Sequence, residues 1–159
     1  MTYSFLQMDE MNARTILGWR YDPPYTLYNV APEDVDAALP GLLDTNWDYF
    51  SMHDERGELV GFCCFGEDAR VPGGDYGTPA LDIGWGMRPD LTGQGHGAAF
   101  LEAILDFARR TYTAEFFRTT VAAFNTRSRR LCEKLGFQPV QDFVHNATGD
   151  QFVILMRPT

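Results

Sequence analysis

Apolar and polar positions along this chain change period repeatedly, and each change marks the edge of an element. Tyr3 to Met8 reads as a short strand. Ala13, Ile16 and Leu17 then fall at helical spacing, so a helix is expected through Trp19, capped by Asp9 or Asn12. Asp22-Pro23-Pro24 ends it, and Tyr21, Tyr25 and Tyr28 make the adjoining loop aromatic. A second helix is predicted from near Pro32, because Glu33, Asp34 and Asp36 suit the positive end of a helix dipole. It is predicted to end before Pro40-Gly41. Trp47 to His53 and Leu59 to Phe65 flank Asp54-Glu55-Arg56-Gly57-Glu58 and read as a hairpin.

A glycine- and proline-bearing stretch, Asp68 to Pro79, leads to a strand over Leu81 to Met87. The helix expected from about His96 to Arg110 puts Leu101, Ile104, Leu105 and Ala108 on one face. Glu102, Asp106, Arg109 and Arg110 lie on the other, with Asp106 and Arg110 at i,i+4. Phe116 to Phe124 is rich in Thr, Val and Phe and reads as a strand. Thr126 to Leu135 reads as a short helix that stops at Gly136, and Phe137 to His145 with Gln151 to Met156 as a closing hairpin. The order β-α-α-β-β-β-α-β-α-β-β predicts an α/β protein whose central sheet mixes strand directions. No repeat, low-complexity tract or linker interrupts it, so residues 1–159 are expected to form one domain.

Composition adds limits to this picture. A hydrophobic fraction of 45% and an aromatic fraction of 14% belong to a folded chain, and 159 residues suffice to bury a core. No apolar run approaches the length of a membrane span, and the N-terminus lacks the layout of a signal peptide; a cytoplasmic, membrane-free protein is expected. Cys63, Cys64 and Cys132, odd in number and partly adjacent, suit reduced thiols, so the sequon Asn146-Ala147-Thr148 reads as a chance match. A net charge of −9 argues against nucleic acid as a partner. The charge is uneven: residues 1–80 hold 14 acids and 4 bases, whereas residues 81–159 hold 8 acids and 9 bases, seven of these between Arg109 and Lys134. Either this is plain solubility charge, or an anionic cofactor faces a cationic substrate.

The stretch Gly84-Trp85-Gly86-Met87-Arg88-Pro89-Asp90-Leu91-Thr92-Gly93-Gln94-Gly95-His96-Gly97 decides more than any other. It joins a strand to a helix through three glycines at alternate positions, which let the backbone approach a ligand and turn several N–H groups toward one point. The helix start adds unpaired N–H groups and a positive dipole end, and the whole reads as a phosphate cradle. A dinucleotide site fits poorly: the spacing is Gly-x-Gly-x-Gly, the motif lies past mid-chain, and Asn125 ends the next strand where a ribose-binding acid belongs. A P-loop fails because no Gly-Lys-Ser/Thr follows.

Downstream comes Asn125-Thr126-Arg127-Ser128-Arg129-Arg130-Leu131-Cys132-Glu133-Lys134-Leu135-Gly136-Phe137. With it, the chain resembles the GNAT superfamily of N-acetyltransferases. Met87-Arg88-Pro89 and Thr92-Gly93-Gln94-Gly95-His96-Gly97 fall without gaps on the family's acetyl-CoA signature. Asn125 and Cys132 to Phe137 fall on its second signature. The resemblance covers roughly Leu59 to Met156. It implies the GNAT acyl-CoA N-acyltransferase fold, a mixed central sheet flanked by helices with strands 4 and 5 splayed, and acetyl-CoA as co-substrate. Two departures stand out: Thr92 replaces the usual Arg or Gln, and Cys132 stands where many members carry the tyrosine that protonates the leaving thiolate.

The resemblance implies that backbone groups near Met87 pair with pantetheine and that the N–H groups of Thr92, Gly93, Gln94, Gly95, His96 and Gly97 hold pyrophosphate. Arg88, Asn125 and Ser128 complete the expected cofactor contacts, with a hydroxyl of Thr92 on phosphate. An alkyl ammonium, with a pKa of about 10.4, must lose a proton before attack. Asp82, on the strand entering the site, is the expected base or a strand-edge ion-pair acid. Asn125, Ser128 and Cys132, at i, i+3 and i+7, share a helix face, and Ser128 or Cys132 is the expected proton donor. Arg127, Arg129 and Arg130 read as contacts of the CoA 3′-phosphate or as a solvated face. Tyr21, Tyr25, Tyr28 and Trp85 could wall a pocket for a cationic amine, or pack the first helix. His53, His96 and His145 show no metal spacing, and no metal is expected. The expected acceptor is a small amine or a protein N-terminus, and the reading is compatible with a homodimer. The rival function is a CoA-binding sensor without turnover.

Overall fold

The structure, a computed structural model, describes residues 2–159. Its contacts divide into two compact units: the chain through Cys64 together with Trp85–Phe100, and Phe65–Gly84 together with Leu101–Thr159.

In the first unit, β1 (Ser4–Gln7) pairs antiparallel with β2 (Tyr49–His53), and β2 pairs antiparallel with β3 (Leu59–Phe65). Gly57, at φ 80°, supplies the left-handed residue of the β2–β3 turn. Helix α1 (Glu10–Leu17) starts where Asp9 accepts the Asn12 N–H at 2.8 Å, the cap expected of a short acid before a helix. Helix α2 (Val35–Leu43) follows a single 3₁₀ turn at Pro32–Asp34. Together with Met8, Ala13, Ile16 and Leu17 of the α1 region, Leu39 forms a buried cluster that Trp19, Val35, Ala38, Leu42 and Phe62 extend.

Helix α2 overturns one expectation: it runs through Pro40 to Leu43 instead of ending before it. Val35, Leu39 and Leu42 keep helical spacing across the proline, and burying that stripe outweighs one missing N–H. Pro40 itself lies at the exposed surface.

In the second unit, the start of β4 (Leu81–Met87) runs parallel to β5 (Phe116–Ala122), with Leu81 opposite Phe117 and Asp82 opposite Arg118. β5 pairs antiparallel with β7 (Gln151–Pro158), and β7 with β6 (Gln138–Val144), whose register shifts between Pro139 and Gln141. Helices α3 (Gly97–Thr111) and α4 (Thr126–Lys134) complete the order of elements. Leu101, Ile104, Leu105 and Ala108 of α3 are fully buried, as the spacing predicts. Gly136, at φ 93°, follows α4 in the left-handed conformation expected of a helix-ending glycine. The hydrogen-bonded strand order is β1-β2-β3-β4-β5-β7-β6, a mixed seven-stranded sheet.

Candidate active site

Strand β4 ends in Gly84-Trp85-Gly86-Met87, where the missing side chains matter. A Cβ on Gly86 would lie 2.3 Å from a ring carbon of Phe62, so that ring occupies the space a side chain would need. Just beyond, the Arg88 N–H donates to Val60 O at 2.8 Å and keeps the strand end paired. Pro89–Leu91 make one 3₁₀ turn, closed by the Leu91 N–H on Arg88 O and the Thr92 N–H on Pro89 O. Gly93 and Gly95 then adopt φ of 71° and 84°, the left-handed region glycine enters at no steric cost. The first intrahelical bond of α3 is Phe100 N–H to His96 O, at 3.0 Å, so the amides of Gly97, Ala98 and Ala99 precede the first donor used by the helix. A turn of this build offers backbone N–H groups and a positive dipole end, the chemistry that holds a phosphate.

Two expected cofactor contacts take other roles here. The Thr92 hydroxyl donates to Pro89 O at 2.7 Å, so its proton ties the turn together and is not aimed at a phosphate. Arg88 forks onto both oxygens of Asp90, at 2.6 and 3.2 Å, and donates to Leu59 O at 3.0 Å. Its side chain braces the loop internally. Hydrogen bonding to Arg88 holds the Asp90 carboxyl below its ordinary range.

Of the aromatic residues expected to face the amine, Tyr21 is tied to the same strand and Trp85 lies on it. Tyr21 donates its hydroxyl to Met87 O at 2.6 Å and meets Tyr28 edge-on, ring centroids 6.2 Å apart. Its backbone is clamped by Asn29, which accepts the Tyr21 N–H at 2.7 Å and donates to Tyr21 O at 3.1 Å. Tyr25 and Trp85 are half-buried and Tyr28 is exposed. Asn29 was not singled out by sequence; an Asn eight residues from a tyrosine carries no pattern that predicts the clamp.

In the second unit, Asp82 is 2% exposed and both its oxygens are taken. Arg118, itself 1% exposed, holds them at 2.6 and 2.8 Å, and Arg70 adds a third bond at 2.8 Å. The Tyr76 ring packs against both guanidiniums, 5.4 Å from Arg70 and 5.0 Å from Arg118. A carboxylate so enclosed already accepts three charge-assisted hydrogen bonds from within the protein. Asp82 is therefore the centre of an ion cluster, the second of the two roles the sequence left open for it, and its carboxylate is engaged there instead of facing an amine as a base.

Asn125, 6% exposed, caps α4 by accepting the Ser128 N–H at 3.1 Å. Ser128 is half-buried on the first turn of that helix. Cys132 is wholly buried, and burial, with Glu133 adding to it, pushes its thiol up to about 12. A coenzyme thiol has an ordinary pKa of about 8.5, so a proton from Cys132 would move uphill by roughly 5 kcal/mol. That argues against Cys132 both as proton donor and as nucleophile. Arg129 donates to Ala123 O at 3.2 Å. Among the described residues, no group of three or more His, Cys, Asp and Glu is placed to hold a metal ion, and no helix is long and apolar enough to cross a membrane.

A model of the acetyltransferase (GNAT) domain matches residues 7–138. No curated protein matches the sequence. Among solved structures, a GNAT-family acetyltransferase from Bacillus anthracis superposes with a TM-score of 0.74 at 17% identity, over 99% of this chain and 95% of that one. A chimera of the spermidine N-acetyltransferase SpeG from Vibrio cholerae with hSSAT gives 0.73 at 15% identity, over 99% and 96%. The aminoglycoside acetyltransferase AAC(6')-Ib in complex with coenzyme A gives 0.73 at 17% identity, over 99% and 95%. At such identities these likenesses establish a common fold.

Proposed function

The chain belongs to the GNAT family of acetyltransferases, and from that premise we propose that it transfers the acetyl group of acetyl-CoA to a primary amine by direct attack. The observation that carries this reading is the glycine turn, whose positive-φ Gly93 and Gly95 open onto a helix with three amides ahead of its first hydrogen bond. In the reading, the N–H groups of Gly93, Gln94, Gly95, His96 and Gly97 hold the pyrophosphate of the donor. The backbone of Trp85 and Met87 pairs with pantetheine as an added strand would, and an N–H there polarises the thioester carbonyl.

With Asp82 enclosed by arginines, the amine reaches its neutral form by losing a proton to water, toward the acid-rich residues 1–80. That charge favours a small cationic amine as acceptor, with a protein N-terminus as the other candidate. Two structural neighbours are named for spermidine and aminoglycoside acetylation, and both of those acceptors are amines. The adjacent Cys63 and Cys64 support a reducing, cytoplasmic setting.

One observation favours the rival reading of a CoA sensor without turnover: the buried, high-pKa thiol of Cys132 stands where a proton donor was expected. A single experiment separates the two. Acetyl-CoA at about 100-fold excess over its Kd adds about 2.7 kcal/mol of stability, raising Tm by roughly 5–10 °C. Gly95→Val, which forces a β-branched residue to φ 84°, abolishes that shift. A retained shift would refute the cradle. Thiol release on an amine panel supports transfer, whereas ligand-induced stabilisation without release on any amine supports the sensor.

A further inference from the structure

Transfer leaves a thiolate, and the two sequence-level candidates for its proton fare unequally: Cys132 is buried with a raised pKa, and Ser128, a primary hydroxyl, is a much weaker acid than a thiol. In the first unit a different hydroxyl meets the strand on which the donor is expected to pair. Tyr21 Oη lies 2.6 Å from the carbonyl oxygen of Met87, the last residue of β4. That carbonyl is an acceptor an added pantetheine strand would use, so the phenol occupies a hydrogen-bonding position that the proposed donor needs.

The placement is built rather than incidental. Asn29 grips the Tyr21 backbone at both its N–H and its carbonyl, closing residues 22–28 into a loop. Within that loop the Tyr25 N–H donates to Asp22 O at 2.9 Å, and the Asn29 N–H to Thr26 O at 3.0 Å. Tyr28 meets the Tyr21 ring edge-on. The ring is thus positioned from its own backbone and from its side, and the hydroxyl alone points to β4. A phenol, with an ordinary pKa of about 10, is a closer match to a thiol than Cys132 is.

We infer that Tyr21 is the proton donor to the departing sulfur, an inference that rests on the acetyl-transfer reading above. When the donor strand takes Met87 O, the phenol turns from the carbonyl to the sulfur beside it. The neutral amine nitrogen bonds to the thioester carbon, and the C–S bond breaks with its electron pair going to sulfur. The Tyr21 O–H proton then passes to that sulfur, giving a free thiol. The nitrogen sheds one proton as the amide forms, and through water this proton restores the phenol. The sum is amine plus thioester giving amide plus thiol, with no net proton consumed.

The test compares wild type with Tyr21→Phe, which keeps the ring and removes only the hydroxyl. Tyr3→Phe, which removes a phenol packed edge-on to Phe100, serves as control. Thiol release is followed across pH with the amine that works best on wild type, and acetyl-CoA affinity is read by calorimetry. The expected result is a kcat lowered about 10²- to 10⁴-fold in Tyr21→Phe, the range of a general acid. Its acetyl-CoA Kd stays within a few-fold, and the fall of wild-type kcat at alkaline pH disappears. Tyr3→Phe retains both rate and alkaline limb. A Tyr21→Phe enzyme with near-wild-type kcat and an intact alkaline limb overturns the assignment alone. A lowered Tm and weaker acetyl-CoA binding with the alkaline limb intact reduce Tyr21 to a brace of β4, which also overturns it. Wild-type protein that binds acetyl-CoA and releases no thiol on any amine overturns the transfer reading, and this assignment with it.

Discussion

Around Asp82, strand β4 is fixed by charge: a carboxylate and a guanidinium buried together, with the exposed Arg70 and the half-buried Tyr76 ring closing over them. Around Met87 the same strand is fixed by small and neutral means, an aromatic ring over Gly86, a phenol on a carbonyl and a backbone bond to Val60. The first arrangement spends both carboxylate oxygens of Asp82 and the Arg118 guanidinium on bonds inside the protein. The second keeps backbone groups near the surface, where a ligand can exchange with the bonds already made. Charge anchors the start of the strand, and close neutral contacts at a glycine fix its end.

The sharpest way to break this contrast is Asp82→Ala. It strands Arg118 in the interior without its partner and should cost about 3–5 kcal/mol in denaturant unfolding. Replacing both members, Asp82→Leu with Arg118→Met, should recover most of that loss. A single-mutant cost below about 1 kcal/mol would mean the cluster anchors nothing. At the other end, Gly86→Ala drives a Cβ into the Phe62 ring, which Trp19 and Tyr49 hold in place, and should cost about 1–3 kcal/mol. Adding Phe62→Leu should relieve part of it; strict additivity in the double-mutant cycle would deny the contact.

Smaller effects refine the comparison. Asn29→Ala removes both bonds to the Tyr21 backbone, and a loss of about 1 kcal/mol is expected by thermal unfolding. An unchanged Tm would show that the loop holds itself. The smallest effect concerns acid. Arg88 lowers the Asp90 pKa below its ordinary 3.8, so the folded state binds fewer protons than the unfolded one. Its contribution is full above about pH 3.8 and is lost as pH falls through the folded value. Both groups are partly exposed, so the contribution stays under about 1 kcal/mol. Comparing acid unfolding of wild type and Asp90→Asn should reveal a slightly shallower limb in the variant, and superimposable limbs would discount the fork.

How far the sequence discloses this molecule depends on how local each cause is. The glycine turn is legible because positive φ is a demand that closely spaced glycines announce, met here at Gly93 and Gly95, and α3 because its buried face repeats every turn. The cap by Asp9 and the stop at Gly136 are equally local. Helix α2 was misread at its end because a breaker residue weighs heavily in a short window, while the stripe Val35, Leu39, Leu42 gains its energy only on packing. Asp82 was left open between base and ion-paired acid for a different reason. Its partners, Arg70 and Arg118, lie 12 and 36 residues away, and no spacing in the chain ties the three together. The bond from Tyr21 to Met87 spans 66 residues and is likewise a product of the fold.

The Asp82–Arg118 pair has one more consequence, for how the second unit finds its alignment. Among the described residues, parallel β4 and β5 register over two facing pairs, Leu81 with Phe117 and Asp82 with Arg118. A contact so short discriminates poorly between alternative alignments by hydrogen bonding alone. Sliding either strand by a single residue would move every side chain to the opposite face and leave two buried charges without each other. The ion pair thus acts as a checksum on assembly, satisfied by one alignment and costly in the others.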